Sequence, residues 1–124
     1  MRDLRFRCVG LLVVMLLAVS APRAMAQRLP AGVILGKWCG ETADYVFTRH
    51  QLTVFKHDGS TRELRIARFV AGPDWISVYW LGLPAVNGIE ANTLFEHFSA
   101  DRQTMNQARQ DIGDKGPLRI FRRC

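Results

Sequence analysis

Between Asp44 and Phe121 the chain divides into short runs, several of which alternate hydrophobic and polar side chains, the period of a strand with one buried face. Asp44–Thr48 is rich in aromatic and β-branched residues and reads as the first clear strand. After the short connection Arg49-His50, Gln51–Lys56 alternates with Leu52 and Val54 on one face. Asp58-Gly59 then marks a hairpin turn into Thr61–Phe69. Leu64 and Ile66 share a face there, and the phase shifts at Arg68-Phe69 as it does at a β-bulge. Glu63, Leu64, Arg65 and Ala67 are also good helix formers, so a helix is the rival reading, and the hairpin context favours the strand.

Gly72-Pro73-Asp74 turns the chain into Trp75–Trp80, where Ile76, Val78 and Trp80 oppose Trp75 and Tyr79. Leu81–Gly88, with Pro84 and an Asn87-Gly88 pair, reads as the longest loop and a mobile one. Ile89–Ser99 reads as a further strand stretch. Thr104–Arg109 is more polar and suits an edge, Asp111–Pro117 is a loop, and Leu118–Arg122 is the last strand. Gln27–Leu35 holds Pro30 and Gly32 and reads as an extended lead-in. About seven to eight strands at short turn spacing predict an all-β fold of the sandwich or barrel kind. Successive hairpins favour a small antiparallel up-and-down barrel or meander.

The N-terminus changes the accounting of charge. Arg2, Arg5 and Arg7 precede an apolar run from Val9 to Val19, and Ala24-Met25-Ala26 forms a small-x-small site, so residues 1–26 read as a cleaved signal peptide. Residues 27–124 then form one small domain. The whole chain carries seventeen basic and eleven acidic residues, and the leader accounts for four of the former and one of the latter, leaving +3. That balance implies solubility and no nucleic-acid partner. After cleavage no stable membrane span is expected. Export also places Cys39 and Cys124, the cysteines that remain, where disulfides persist. Their pairing would join the first structured stretch to the last strand.

Gly36-Lys37-Trp38, at the start of this meander, resembles the Gly-x-Trp motif of lipocalin and wider calycin β-barrels. The resemblance implies that Trp38 closes one end of the barrel and that a basic residue of the last strand, Arg119 or Arg122, packs across it. Small periplasmic protease inhibitors of bacteria are similar in size, export, single disulfide and barrel architecture, although no inhibitory motif carries over residue by residue.

Candidate chemistry is sparse. His50 and His57 lie at opposite ends of one strand and should not share a site, and His97 has no second ligand in view. There is no CxxC or HxxxH spacing, so neither a metal nor another cofactor is implied. Ser60, Ser77 and Ser99 lack an elbow motif, and Glu41, Asp44, Glu90 and Glu96 form no legible catalytic pair. Arg62, Arg65 and Arg68 recur at a spacing that does not align on one strand face. The reading is therefore a noncatalytic monomer, periplasmic or secreted. One expectation is a small apolar ligand bound at the barrel mouth by Trp75, Tyr79 and Leu83. The alternative is an inhibitor or adaptor that binds another exported protein through a loop or aromatic patch.

Overall fold

The computed structural model of the protein describes residues 27–108 and 119–124. The expected leader, residues 1–26, and the expected loop at 111–117 lie outside the described residues. A 3-10 turn, Ala31–Ile34, precedes eight strands: β1 Gly36–Gly40, β2 Ala43–Phe47, β3 Gln51–Lys56, β4 Thr61–Ala71, β5 Ile76–Trp80, β6 Asn92–Glu96, β7 Thr104–Gln107 and β8 Arg119–Arg123. Each strand pairs antiparallel with the next, and β8 pairs back onto β1, closing the barrel. The polar β7, expected at an edge, is paired on both sides; closure removes the edge. The lead-in is likewise not wholly extended. Val33 N–H bonds the Pro30 carbonyl and Leu35 N–H the Gly32 carbonyl, so that Val33 and Ile34 turn inward and are buried.

β4 lets eight short strands close. Its first half pairs with β3 and its second with β5, and the register shifts between Ile66 and Arg68. A bulge there bends the strand and returns Phe69 to the inner face. The alternation read from the sequence is the inside–outside alternation of the barrel wall: Tyr45 and Phe47, Leu52 and Val54, Ile76, Val78 and Trp80 are all buried. They fill the interior together with Phe95, Met105 and Phe121. Phe47 meets Phe95 edge-on with ring centres 5.3 Å apart, and Tyr45 lies 4.4 Å from Phe121. Such aromatic pairs contribute about 0.5–1.5 kcal/mol each beyond burial. A small barrel can be filled by its own side chains in this way.

One end is closed by Trp38, which is fully buried and donates its indole N–H to the Ile34 carbonyl at 2.9 Å. The guanidinium lying over its ring belongs to Arg123, 3.9 Å from the ring centre. Arg119 and Arg122, the expected candidates, do not reach Trp38. Phe121 points inward, so Arg122, one residue on, faces out beside Cys39. Arg119 shares the inner parity but lies about 13 Å along the strand from Arg123, where its Nη1 donates to the Tyr45 hydroxyl at 3.4 Å. Arg123 also donates to the carbonyls of Leu35, at 2.6 Å, and Val33. Burial pulls its guanidinium pKa down. Gly36 belongs to the same device. Its φ is +103°, and a Cβ there would lie 2.9 Å from an Arg123 nitrogen, so only glycine fits.

Cys39 and Cys124 are disulfide-bonded, with Cα atoms 5.7 Å apart. They are diagonal neighbours on the outer face of β1 and β8, directly behind the Trp38–Arg123 pair. The two residues are 85 apart in sequence, so replacing both with serine is expected to lower unfolding free energy by roughly 4–5 kcal/mol. Trp38→Ala, which empties the plug, is expected to lower it by about 3–5 kcal/mol. Urea titration of each variant measures both losses.

Candidate functional site

β5 ends at Trp80 and β6 begins at Asn92, and the connection between them carries the largest cluster of exposed aliphatic side chains among the described residues. Val86 is 67% and Ile89 66% exposed, followed by Leu81 at 51% and Leu83 at 41%. No residue from Leu81 to Ile89 is charged. Water contact at these side chains opposes folding and solubility alike, and contiguous apolar exposure of this kind marks interaction surfaces.

The loop is tied down at three levels. At its root, Trp80 N–H donates to the Ala91 carbonyl at 3.0 Å, and Leu81 N–H to the Arg65 carbonyl on β4 at 2.8 Å. On the outer wall, both terminal nitrogens of Arg68 donate to the two oxygens of Glu90 at 2.7 Å. Arg68 also stacks on the Tyr79 ring at 3.9 Å, and the Asn92 amide holds the Glu90 carbonyl at 2.8 Å. At the tip, Val86 and Ile89 exchange both backbone hydrogen bonds across Asn87-Gly88. The φ values of +51° and +74° at those two residues are those of a type I′ turn, which the Asn-Gly pair supplies. The Arg68 hydrogen bonds hold the Glu90 carboxyl below its ordinary range, and Glu90 in turn raises the Arg68 guanidinium.

The residues expected to share a ligand site are not brought together. Leu83 is in this loop. Tyr79 is on the outer wall of β5 under Arg68. Trp75 is at the opposite end of the barrel, in the β4–β5 turn, with its indole lying against Gly72. The alternation of Trp75–Trp80 gave Trp75 and Tyr79 a common face, but the chain leaves the strand before Ile76, and a turn residue does not keep the strand's direction.

A cleft of about 1080 Å³ opens instead at the end of the barrel beside the β1–β2 and β3–β4 turns, lined by the core side chains of Tyr45, Val54 and Phe121 together with Lys56, His57 and Arg119. None of Trp75, Tyr79 and Leu83 lines it. It carries both charge signs, including Glu41 and Asp58, and His57 Nε2 lies 3.1 Å from Asp44. His97 sits in the turn after β6, at φ +55° and 3.7 Å from Glu96. Among the described residues, no three His, Cys, Asp or Glu side chains are placed to hold a metal ion, and no helix is long and apolar enough to cross a membrane.

The fold and site define a disulfide-tied, closed eight-stranded antiparallel barrel with an anchored apolar loop. No protein-family model, curated protein or solved structure matches the chain.

Acid is expected to loosen the clamp on the loop. Because the Glu90 pKa is lowered on pairing, its contribution is complete above the ordinary carboxylate range and is lost as pH falls through the lowered value. Amide protection at Trp80 and Leu81, whose N–H groups are bonded at the root of the loop and whose exchange is read relative to the intrinsic rate at each pH, should fall on acidification below about pH 4, and Glu90→Gln should show the lowered protection already at neutral pH.

Proposed function

We propose that the protein is an exported, noncatalytic binding protein of the bacterial envelope, an inhibitor or adaptor that docks on another exported protein through the Leu81–Ala91 loop. The observation that carries this reading is the anchored loop with its four exposed aliphatic side chains outside the packed barrel core. A loop already held in shape loses little conformational freedom on binding, so more of its contact energy appears as affinity. Burying an aliphatic side chain contributes about 1.5–3 kcal/mol.

A small apolar ligand at the barrel mouth is the weaker reading, since Trp75, Tyr79 and Leu83 lie apart and the cleft beside the β1–β2 and β3–β4 turns carries charged side chains of both signs. Two further features support the assignment. A basic residue of the last strand over Trp38, behind Gly36, fits the lipocalin and calycin resemblance, with Arg123 in the place expected of Arg119 or Arg122. The Cys39–Cys124 bond suits an oxidising compartment such as the periplasm.

The test is a photo-crosslinker placed at Leu83 in the exported protein, with the adduct identified by mass spectrometry. A defined partner should be captured. Val86→Asp with Ile89→Asp should reduce capture tenfold or more while leaving the thermal midpoint within a degree or two. Undiminished capture in that variant, or no adduct, counts against docking through this loop.

A further inference from the structure

Strand parity sorts the charged side chains of the barrel by sign. Asp44, Glu63 and Glu96 each stand next to an inward residue, Tyr45, Leu64 and Phe95, so the strand carboxylates among the described residues face out. Basic residues occupy the inner positions. Lys56 continues the face of Leu52 and Val54, Arg62 pairs with Val54 across β3 and β4, and Arg119 and Arg123 flank Phe121 on its own face. Arg123 is taken up by Trp38 at the closed end. Lys56, Arg62 and Arg119 all lie at the other end, at the close of β3 and the starts of β4 and β8.

Lys56 and Arg119 line the cleft at that end. The carboxylates beside it, Glu41 and Asp58, belong to turns and not to the inner wall. Asp58 is already engaged, because its Oδ1 accepts the Ser60 N–H at 2.8 Å and the Ser60 hydroxyl at 2.6 Å. Asp44, which pairs with His57, faces outward. Arg119 donates to the Tyr45 hydroxyl at 3.4 Å, and that hydroxyl donates to Gln107 Oε1 at 3.0 Å. Most N–H donors of Arg119, and those of the Lys56 ammonium, have no acceptor among the described residues. Like charges converging on one concave mouth raise its potential and draw in anions.

Below the cations the cleft is apolar. Tyr45, Val54 and Phe121 line it, with the two rings 4.4 Å apart. Phe47, Phe95 and Met105 pack in the core beneath them, which limits the depth open to a ligand. We infer that this mouth binds a compact organic anion, its carboxylate or phosphate held by Lys56 and Arg119 and its apolar body resting on Tyr45, Val54 and Phe121. A guanidinium fork matches either oxyanion. The site shares no residue with the Leu81–Ala91 loop, so it adds a ligand to the docking reading and stands or falls apart from it.

The experiment titrates the full, disulfide-bonded protein with benzoate, phenyl phosphate, benzamide and benzylamine at constant ionic strength and follows amide chemical shifts. The probes share a ring and differ in charge. Benzoate, phenyl phosphate or both should shift the amides of Gly40, Tyr45 and Phe121 to saturation, and the stronger of the two names the head group. Benzamide and benzylamine should bind at least tenfold more weakly. Lys56→Gln with Arg119→Gln should weaken anion binding tenfold or more. Lys37→Gln with Arg65→Gln removes the same charge from outer-wall positions and should leave it within about twofold. All four side chains are exposed, so circular dichroism should be unchanged. The proposal is overturned if neither anion binds, if benzamide or benzylamine binds as well as the anions, or if the outer-wall pair weakens binding as much as the cleft pair. Loss of Leu83 crosslinking with anion binding intact would remove docking and leave this site in place.

Discussion

The contact between Arg123 and Trp38 holds the barrel closed. It joins the first strand to the last, and each of its parts requires the others. The indole is buried only because the 3-10 turn supplies the Ile34 carbonyl to its N–H. The guanidinium tolerates burial because it covers the ring and donates to the Leu35 and Val33 carbonyls. The 3-10 turn in turn keeps its shape because those carbonyls have a donor. A cation buried without such partners would cost several kcal/mol. The Cys39–Cys124 bond lies immediately behind this contact on the outer face, so a covalent and a noncovalent closure act on the same pair of strands.

Closure by short strands has a consequence for function. An eight-stranded barrel of this size leaves an interior that large side chains fill, and here Phe47, Phe95, Met105 and Phe121 do so. Recognition is then displaced to the connections. The β1–β2, β2–β3 and β3–β4 turns are tight. The β5–β6 connection is long enough to build its own turn, and the bulged β4 gives it the Arg65 carbonyl and the Arg68 side chain as anchors. The irregularity that closes the barrel thus also supports the loop.

The strands were legible from the period-two pattern because each has a single buried face, and the bulge near Arg68 showed as a break in phase. The 3-10 turn at Ala31–Ile34 was not legible: four residues are too few to show a helical period, and Pro30 and Gly32 suggested an extended chain. The sequence does not distinguish Arg123 from Arg119 and Arg122, because strand parity is relative. Only the inward position of Phe121 decides which arginines face the core. The parity that groups Trp75 with Tyr79 ends where the strand ends. The apolar character of Leu81–Gly88 was plain, but its anchoring by Glu90 and Arg68, 22 residues apart, was not.

Local chemistry settled what depends on near neighbours in the chain: strand periods, the Asp-Gly and Asn-Gly turns, and the glycine that precedes Trp38. Cysteine parity pointed to the one bond that spans the domain. Which strand meets which, which arginine lies over the tryptophan, and whether the barrel is hollow or filled were decided in three dimensions. Those outcomes turn on the shear of the closed sheet and the volumes that meet across it, and residues far apart in sequence contribute to both.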